Sequence, residues 1–246
     1  MTEAAGPDDA LGARLNEIRG RIARCARRAG RTPEEVTLIA VSKTHAAESV
    51  QLAFGAGVAD FGENRVQEAE GKIELVNRGV AGGAIVPRWH LIGHLQSNKA
   101  RRAVKLFDVI HTVDSVELIE RLERMCEEEG RAELPVLVQV DLAGEETKAG
   151  ASTDALPELI AQAGACRRVR LAGLMTLPPF YEDVEPVRPY FRRLRELRDE
   201  LRGGGAFGEG QGELSMGMSH DFEVAIEEGA TMVRVGTAIF GARPAR

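Results

Sequence analysis

Aromatic residues are scarce, at 4% of 246 residues with two tyrosines, Tyr181 and Tyr190, so phenolic bases are few. Cysteine is as sparse: Cys25, Cys126 and Cys166 are odd in number, far apart and set in helix-like segments. That pattern gives neither a disulfide frame nor a zinc site and reads as reduced thiols. No apolar run approaches the ~20 residues of a membrane span. The opening MTEAAGPDDALGARL lacks the basic start and apolar centre of a secretory signal, so a cytoplasmic protein is expected. A basic excess is also missing, since 32 Lys+Arg face 38 Asp+Glu for a net charge of −6. A general nucleic-acid binder is therefore disfavoured. Seven arginines between Arg14 and Arg31, opposed by Glu17, form a local exception. They read as a solvated helix face paired with the acidic remainder, ahead of a nucleic-acid patch.

What the chain does hold is 43% hydrophobic residues, enough for a packed core. Leu11, Leu15, Ile18, Ile22 and Cys25 recur at spacings of three and four before Gly30, which predicts an amphipathic helix over 11–29. Eight short strand candidates follow, at 36–43, 58–64, 88–95, 108–114, 135–143, 169–176, 212–219 and 231–241. Helical patterns lie between them, such as Val66, Ala69, Ile73 and Val76, where Glu68 and Lys72 add an i,i+4 pair. The interval of about 28 residues per strand matches a βα repeat. The predicted fold is a single (β/α)8 TIM barrel with an extra N-terminal helix, in preference to an open doubly wound sheet. Residues 1–10 read as a frayed start, 11–241 as the barrel and 242–246 as a tail. The Gly-rich stretch 203–212 reads as a mobile αβ loop and not as a phosphate cradle.

Barrel enzymes and binders place their chemistry at the C-terminal strand ends. Lys43 closes the first run, where partial desolvation disfavours the ammonium and suits Schiff-base chemistry; taken alone it reads first as an ordinary strand-end lysine, and its companions shift that balance. Gly62, Glu63 and Asn64 close the second run. Asn64 can donate and accept beside an imine, or simply cap the next helix. His90 and His94 would lie ~13 Å apart on a strand, which argues against a zinc pair. The seventh and eighth runs carry Ser215, Met216, Gly217, Met218 and Ser219, then Arg234, Gly236 and Thr237. Loops in these positions form the usual phosphate site of such barrels, and Ser219, Gly236 and Thr237 fit it; the alternative is an N-cap and a tight turn. The order Ser-x-Gly-x-Ser is not a nucleophile elbow, so a serine hydrolase is not supported.

Taken in order, AVSK, FGENRVQE, WHLIGHLQSNK, GEETKAG, GLMTLPP, LSMGMSHDFEVAI and VRVGTAIFG resemble the YggS/PROSC family of pyridoxal phosphate homeostasis proteins, over residues 11–241. The resemblance implies a fold type III barrel like the alanine racemase N-terminal domain, with pyridoxal 5'-phosphate (PLP) held as an internal aldimine. On it, Lys43 forms the imine, Arg234 faces the pyridine nitrogen, Ser219, Gly236 and Thr237 hold the phosphate, and Asn64 lies on the oxygen side of the ring. Ser215, Met216, Gly217 and Met218 supply wall and backbone donors, with Met175 and His90 as further ring contacts. His220 and Thr147 depart from the usual pattern.

Three functions compete: a PLP carrier or regulator of intracellular PLP, a PLP-dependent racemase or decarboxylase, and a Schiff-base aldolase-like barrel without the cofactor. In alanine racemases a second base comes from a tyrosine of an added C-terminal domain, and the 246 residues are expected to leave no room for one. A guanidinium at the pyridine nitrogen also weakens the ring as an electron sink. An open mouth suits exchange better than protected carbanion chemistry. The expected reading is a monomeric carrier without strong catalysis, exchanging PLP with PLP-dependent apoenzymes.

Overall fold

Eight short parallel strands pair in sequence order and close on themselves. The computed structural model describes residues 7–79, 86–144 and 149–241. The strands are β1 (Thr37–Val41), β2 (Asp60–Glu63), β3 (Arg88–Leu91), β4 (Val109–Val113), β5 (Leu134–Gln139), β6 (Val169–Met175), β7 (Glu213–Met218) and β8 (Met232–Val235). The closing seam sets Thr37 opposite Met232 and Ala40 opposite Val235.

Around them run α1 (Pro7–Arg28), α2 (Ala47–Gly55), α3 (Val66–Gly79), α4 (Ala100–Leu106), α5 (Val116–Glu128), α6 (Leu156–Ala165), α7 (Arg188–Gly203), α8 (Phe222–Glu227) and α9 (Thr237–Phe240). While α1 packs across α8, α9 and α2, the helices that follow the strands turn apolar stripes to the sheet. Leu118, Ile119, Leu122 and Cys126 of α5, and Phe191, Leu194 and Leu197 of α7, are buried there. This layer is the main core, and removing its apolar surface from water, at about 25 cal/mol per Å2, is the principal stabilising term.

All eight strand runs become strands, most of them shorter than the run, as at the fifth, which stops at Gln139. The eighth run stops at Val235, and Thr237–Phe240 wind into a helical turn, because a short apolar run fits either state. The third stops at Leu91, and its remainder leads to a 3-10 turn at Ser97–Lys99. The first helix starts at Pro7, so residues 7–10, assigned from the sequence to a frayed start, are helical. Residues 1–6, 80–85, 145–148 and 242–246 lie outside the described residues, and with them Thr147, most of the GEETKAG loop and the tail.

The arginines around α1 are used internally. Arg21 pairs with Glu223 at 3.1 Å and Arg28 with Glu227 at 2.8 Å. Arg14 donates to the Ile239 carbonyl at 2.6 Å, Arg19 to that of Gly57 at 2.8 Å, and Arg31 to that of Ala230 at 2.8 Å. They clasp α1 onto the barrel wall, as the charge-pairing reading expects. Among the described residues no helix is long and apolar enough to cross a membrane. Cys25 and Cys126 are buried and Cys166 is partly so, all as free thiols, and burial pushes the last two up to about 11.

Candidate functional site

The C-terminal ends of β1, β2, β7 and β8 build one rim. Val41 ends β1, and Ser42, Lys43 and Thr44 turn away from it, with Lys43 half-buried. Thr44 has φ +67°, the only non-glycine among the described residues with a positive φ. A β-branched residue in that region stays there only when its surroundings over-determine it.

Both flanks of Lys43 are in fact held. Buried Glu63 accepts from the Ser42 hydroxyl at 2.7 Å and from Lys72 Nζ at 2.6 Å, and Lys72 also donates to the Ser42 carbonyl at 2.7 Å. On the other side, the Thr44 N–H donates to Glu68. Burial pushes the Glu63 carboxyl up, against the opposing pull of Lys72 and Ser42. The pair that the spacing of Glu68 and Lys72 predicts is present at 3.7 Å, and Lys72 makes a second, shorter contact to Glu63.

The phosphate candidates meet between the ends of β7 and β8. The Gly236 N–H donates to the Ser219 hydroxyl at 3.1 Å, and Thr237 stands exposed at the start of α9. A side chain at 236 would approach the Val41 carbonyl at 3.2 Å, and His45 stacks on Phe240 with centroids 5.0 Å apart. The turn carrying Lys43 thus lies against the Gly236–Phe240 segment.

Arg234 lies wholly inside the barrel, donating to the Ser215 hydroxyl at 2.6 Å and to the Thr176 carbonyl at 2.9 Å. Two of its five N–H groups are so used, leaving three. Burial pushes its guanidinium down to about 10, with Asp221 opposing, so it is cationic at neutral pH.

Other candidates take different places. Ser215 faces inward, and strand alternation turns Met216 to the opposite face, into the layer between sheet and helices. Gly217 has φ +90°, and an added Cβ would meet Ala225 Cβ at 2.6 Å, so packing of β7 on α8 requires glycine here. The Met218 N–H already donates to Asp221 at 2.6 Å. Met175 packs with Val109 and Leu137 in a second apolar cluster. His90 is fully buried and hydrogen-bonded to Asp60 and His111, whereas His94 is largely exposed near Asp114. Among the described residues no three His, Cys, Asp or Glu side chains are grouped to hold a metal. The hydroxyls of Tyr181 and Tyr190 lie 3.2 Å apart.

A ligand with an aldehyde, an aromatic oxygen and a phosphate fits what this rim offers. The buried Oδ1 of Asn64 has no hydrogen-bond partner, so Asn64 does not cap α3 through that atom and retains a polar end for a ligand. Sequence reasoning missed Asp60, His111, Lys72 and Thr176. For Asp60 and His111 the available signal was a polar residue on the inward face of a strand, whereas Lys72 lies on α3 and Thr176 just beyond β6.

Residues 14–244 match the family described as alanine racemase, N-terminal domain. The pyridoxal phosphate homeostasis protein of Aquifex aeolicus is 41% identical over 230 residues, covering 94% of this chain and 97% of that protein. PipY of Synechococcus elongatus, solved with PLP bound, is 38% identical with a TM-score of 0.77, over 94% of this chain and all of its own. An alanine racemase from Clostridium difficile superposes at a TM-score of 0.70 with 18% identity, over 96% of this chain and 60% of the racemase, a likeness of fold alone.

Proposed function

This chain belongs to the family of pyridoxal phosphate homeostasis proteins, built on the barrel of the alanine racemase N-terminal domain, and we propose that it binds PLP on Lys43 and serves intracellular PLP homeostasis. The observation that carries this reading is the convergence of the Lys43 turn, the Ser219–Gly236 pair and Arg234 on one rim. PLP, when bound, supplies an aldehyde that condenses with an amine.

The protein's own groups divide the work. Lys43 provides the amine, held by the braces on Ser42 and Thr44. Ser219, Gly236 and Thr237 receive the phosphate, whose charge favours convergent N–H and O–H donors. Arg234 presents its remaining N–H groups to the ring nitrogen and keeps that nitrogen from gaining a proton. Asn64 addresses the ring oxygen. Ser215 acts through Arg234, and Met216, Gly217 and Met218 shape the strand that carries Ser219.

The protein is a carrier without strong catalysis, exchanging PLP with PLP-dependent apoenzymes as a cytoplasmic monomer. Free thiols suit a reducing compartment, and the exposed large apolar side chains Leu52, Leu75, Val86, Phe180 and Met218 are few. The test is direct. Purified protein should be yellow, and borohydride should fix PLP on Lys43, with Lys43→Ala losing the adduct. Colourless protein that binds no PLP would overturn the reading, and sustained racemisation of D- or L-alanine would favour an amino-acid enzyme.

A further inference from the structure

The inside of a barrel of this class is normally filled with Val, Ile and Leu. Here a hydrogen-bonded chain crosses it. Arg234 Nη1 donates to Ser215 Oγ at 2.6 Å; Ser215 Oγ lies 2.8 Å from His111 Nδ1; His111 Nε2 lies 2.8 Å from His90 Nδ1; and His90 Nε2 lies 2.8 Å from Asp60 Oδ1. Asp60 begins β2, at the end of the barrel opposite the rim, and Arg88 approaches it at 3.9 Å.

With one proton on each imidazole, the two ends dictate the direction of every bond between them. A guanidinium only donates and a carboxylate only accepts. His90 must then carry its proton on Nε2 to serve Asp60 and accept on Nδ1. His111 must donate from Nε2 and accept the Ser215 hydroxyl on Nδ1, which frees Ser215 Oγ to accept from Arg234. Both imidazoles are neutral, since burial lowers His90 despite Asp60 and lowers His111 further with His90 and Arg234 adding to it.

We infer that Asp60 is a remote positioning residue, which through neutral His90, neutral His111 and Ser215 fixes the orientation of Arg234 towards the ring nitrogen of bound PLP. This rests on the proposed PLP site, but the polarity of the chain can be tested without the cofactor. Nitrogen-15 NMR of the full chain free of PLP should find the Nε2–H tautomer at both histidines at neutral pH. An Nδ1–H tautomer or a doubly protonated ring at either would overturn the inference, whether or not PLP binds. In the PLP-loaded chain, Asp60→Ala should displace the near-visible absorbance of bound PLP while affinity changes by less than about threefold, below 1 kcal/mol. Asp60→Glu should restore the wild-type spectrum. A folded Asp60→Ala protein with an unchanged spectrum would show that Asp60 does not act on Arg234.

Discussion

Lys72 Nζ stands 2.6 Å from Glu63 Oε1, and both side chains are almost fully buried beneath the turn that presents Lys43. One brace holds the charge of the other and the conformation of the backbone between β1 and α2. Removing one partner of such a pair leaves an uncompensated buried charge, at a cost of about 3–5 kcal/mol. Lys72→Met should lower stability by that amount in urea denaturation. Adding Glu63→Gln should recover most of the loss, because the stranded carboxylate is gone.

Gly217 offers a separate test of packing against ligand contact. Gly217→Ala must hold φ +90° and drive a Cβ to 2.6 Å from Ala225. Backbone strain and overpacking together should cost about 2–4 kcal/mol, read by chemical denaturation. A purely cofactor-facing residue would leave the stability of PLP-free protein unchanged.

Acid should weaken the fold through the two buried imidazoles. Both have folded pKa values lowered by burial, so the native state holds them neutral while the unfolded chain takes up protons below about 6.5. Their contribution is complete above that pH and falls away as pH drops through it, at up to about 2.7 kcal/mol per pH unit for the two. Urea midpoints followed from neutrality down to about pH 5 should show this slope, and His111→Gln should halve it.

Thr237→Ala removes an exposed hydroxyl from the phosphate candidates without touching the core. Loss of one hydrogen bond to a charged group is worth about 1.5–3 kcal/mol, so PLP affinity should fall at least tenfold. The absorbance of the PLP that remains bound should keep its wild-type position. Arg234→Ala should give the converse, a changed spectrum with the smaller loss of affinity.

The order of strands was legible because the runs are short and punctuated, several of them rich in Val, Ile and Leu, and the interval of about 28 residues admits few topologies. Strand ends were less so. Val235 and Thr237 belong to one apolar run, yet the chain turns at Gly236 and the second part is helical. The rim followed from placing Lys43, Asn64, Ser219 and Gly236 at strand ends. The braces behind it did not, because Lys72 reaches Glu63 across nine positions in sequence, a contact that helical spacing does not foresee. His90 and His111 are likewise joined only by the pairing of β3 with β4, and Ser215 reaches His111 across 104 residues.

The seam between β1 and β8 has a consequence for biosynthesis. Lys43 emerges from the ribosome well before Ser219, Arg234 and Gly236. Long-range parallel pairing is slow to form, and chains normally fold from the N-terminus as they are made. A nascent chain ending before Met232 leaves β1 paired with β2 alone and lacks the Gly236 and Thr237 of the proposed phosphate site. Closure of the barrel and completion of the proposed PLP site are thus expected to come together, when β8 docks on β1.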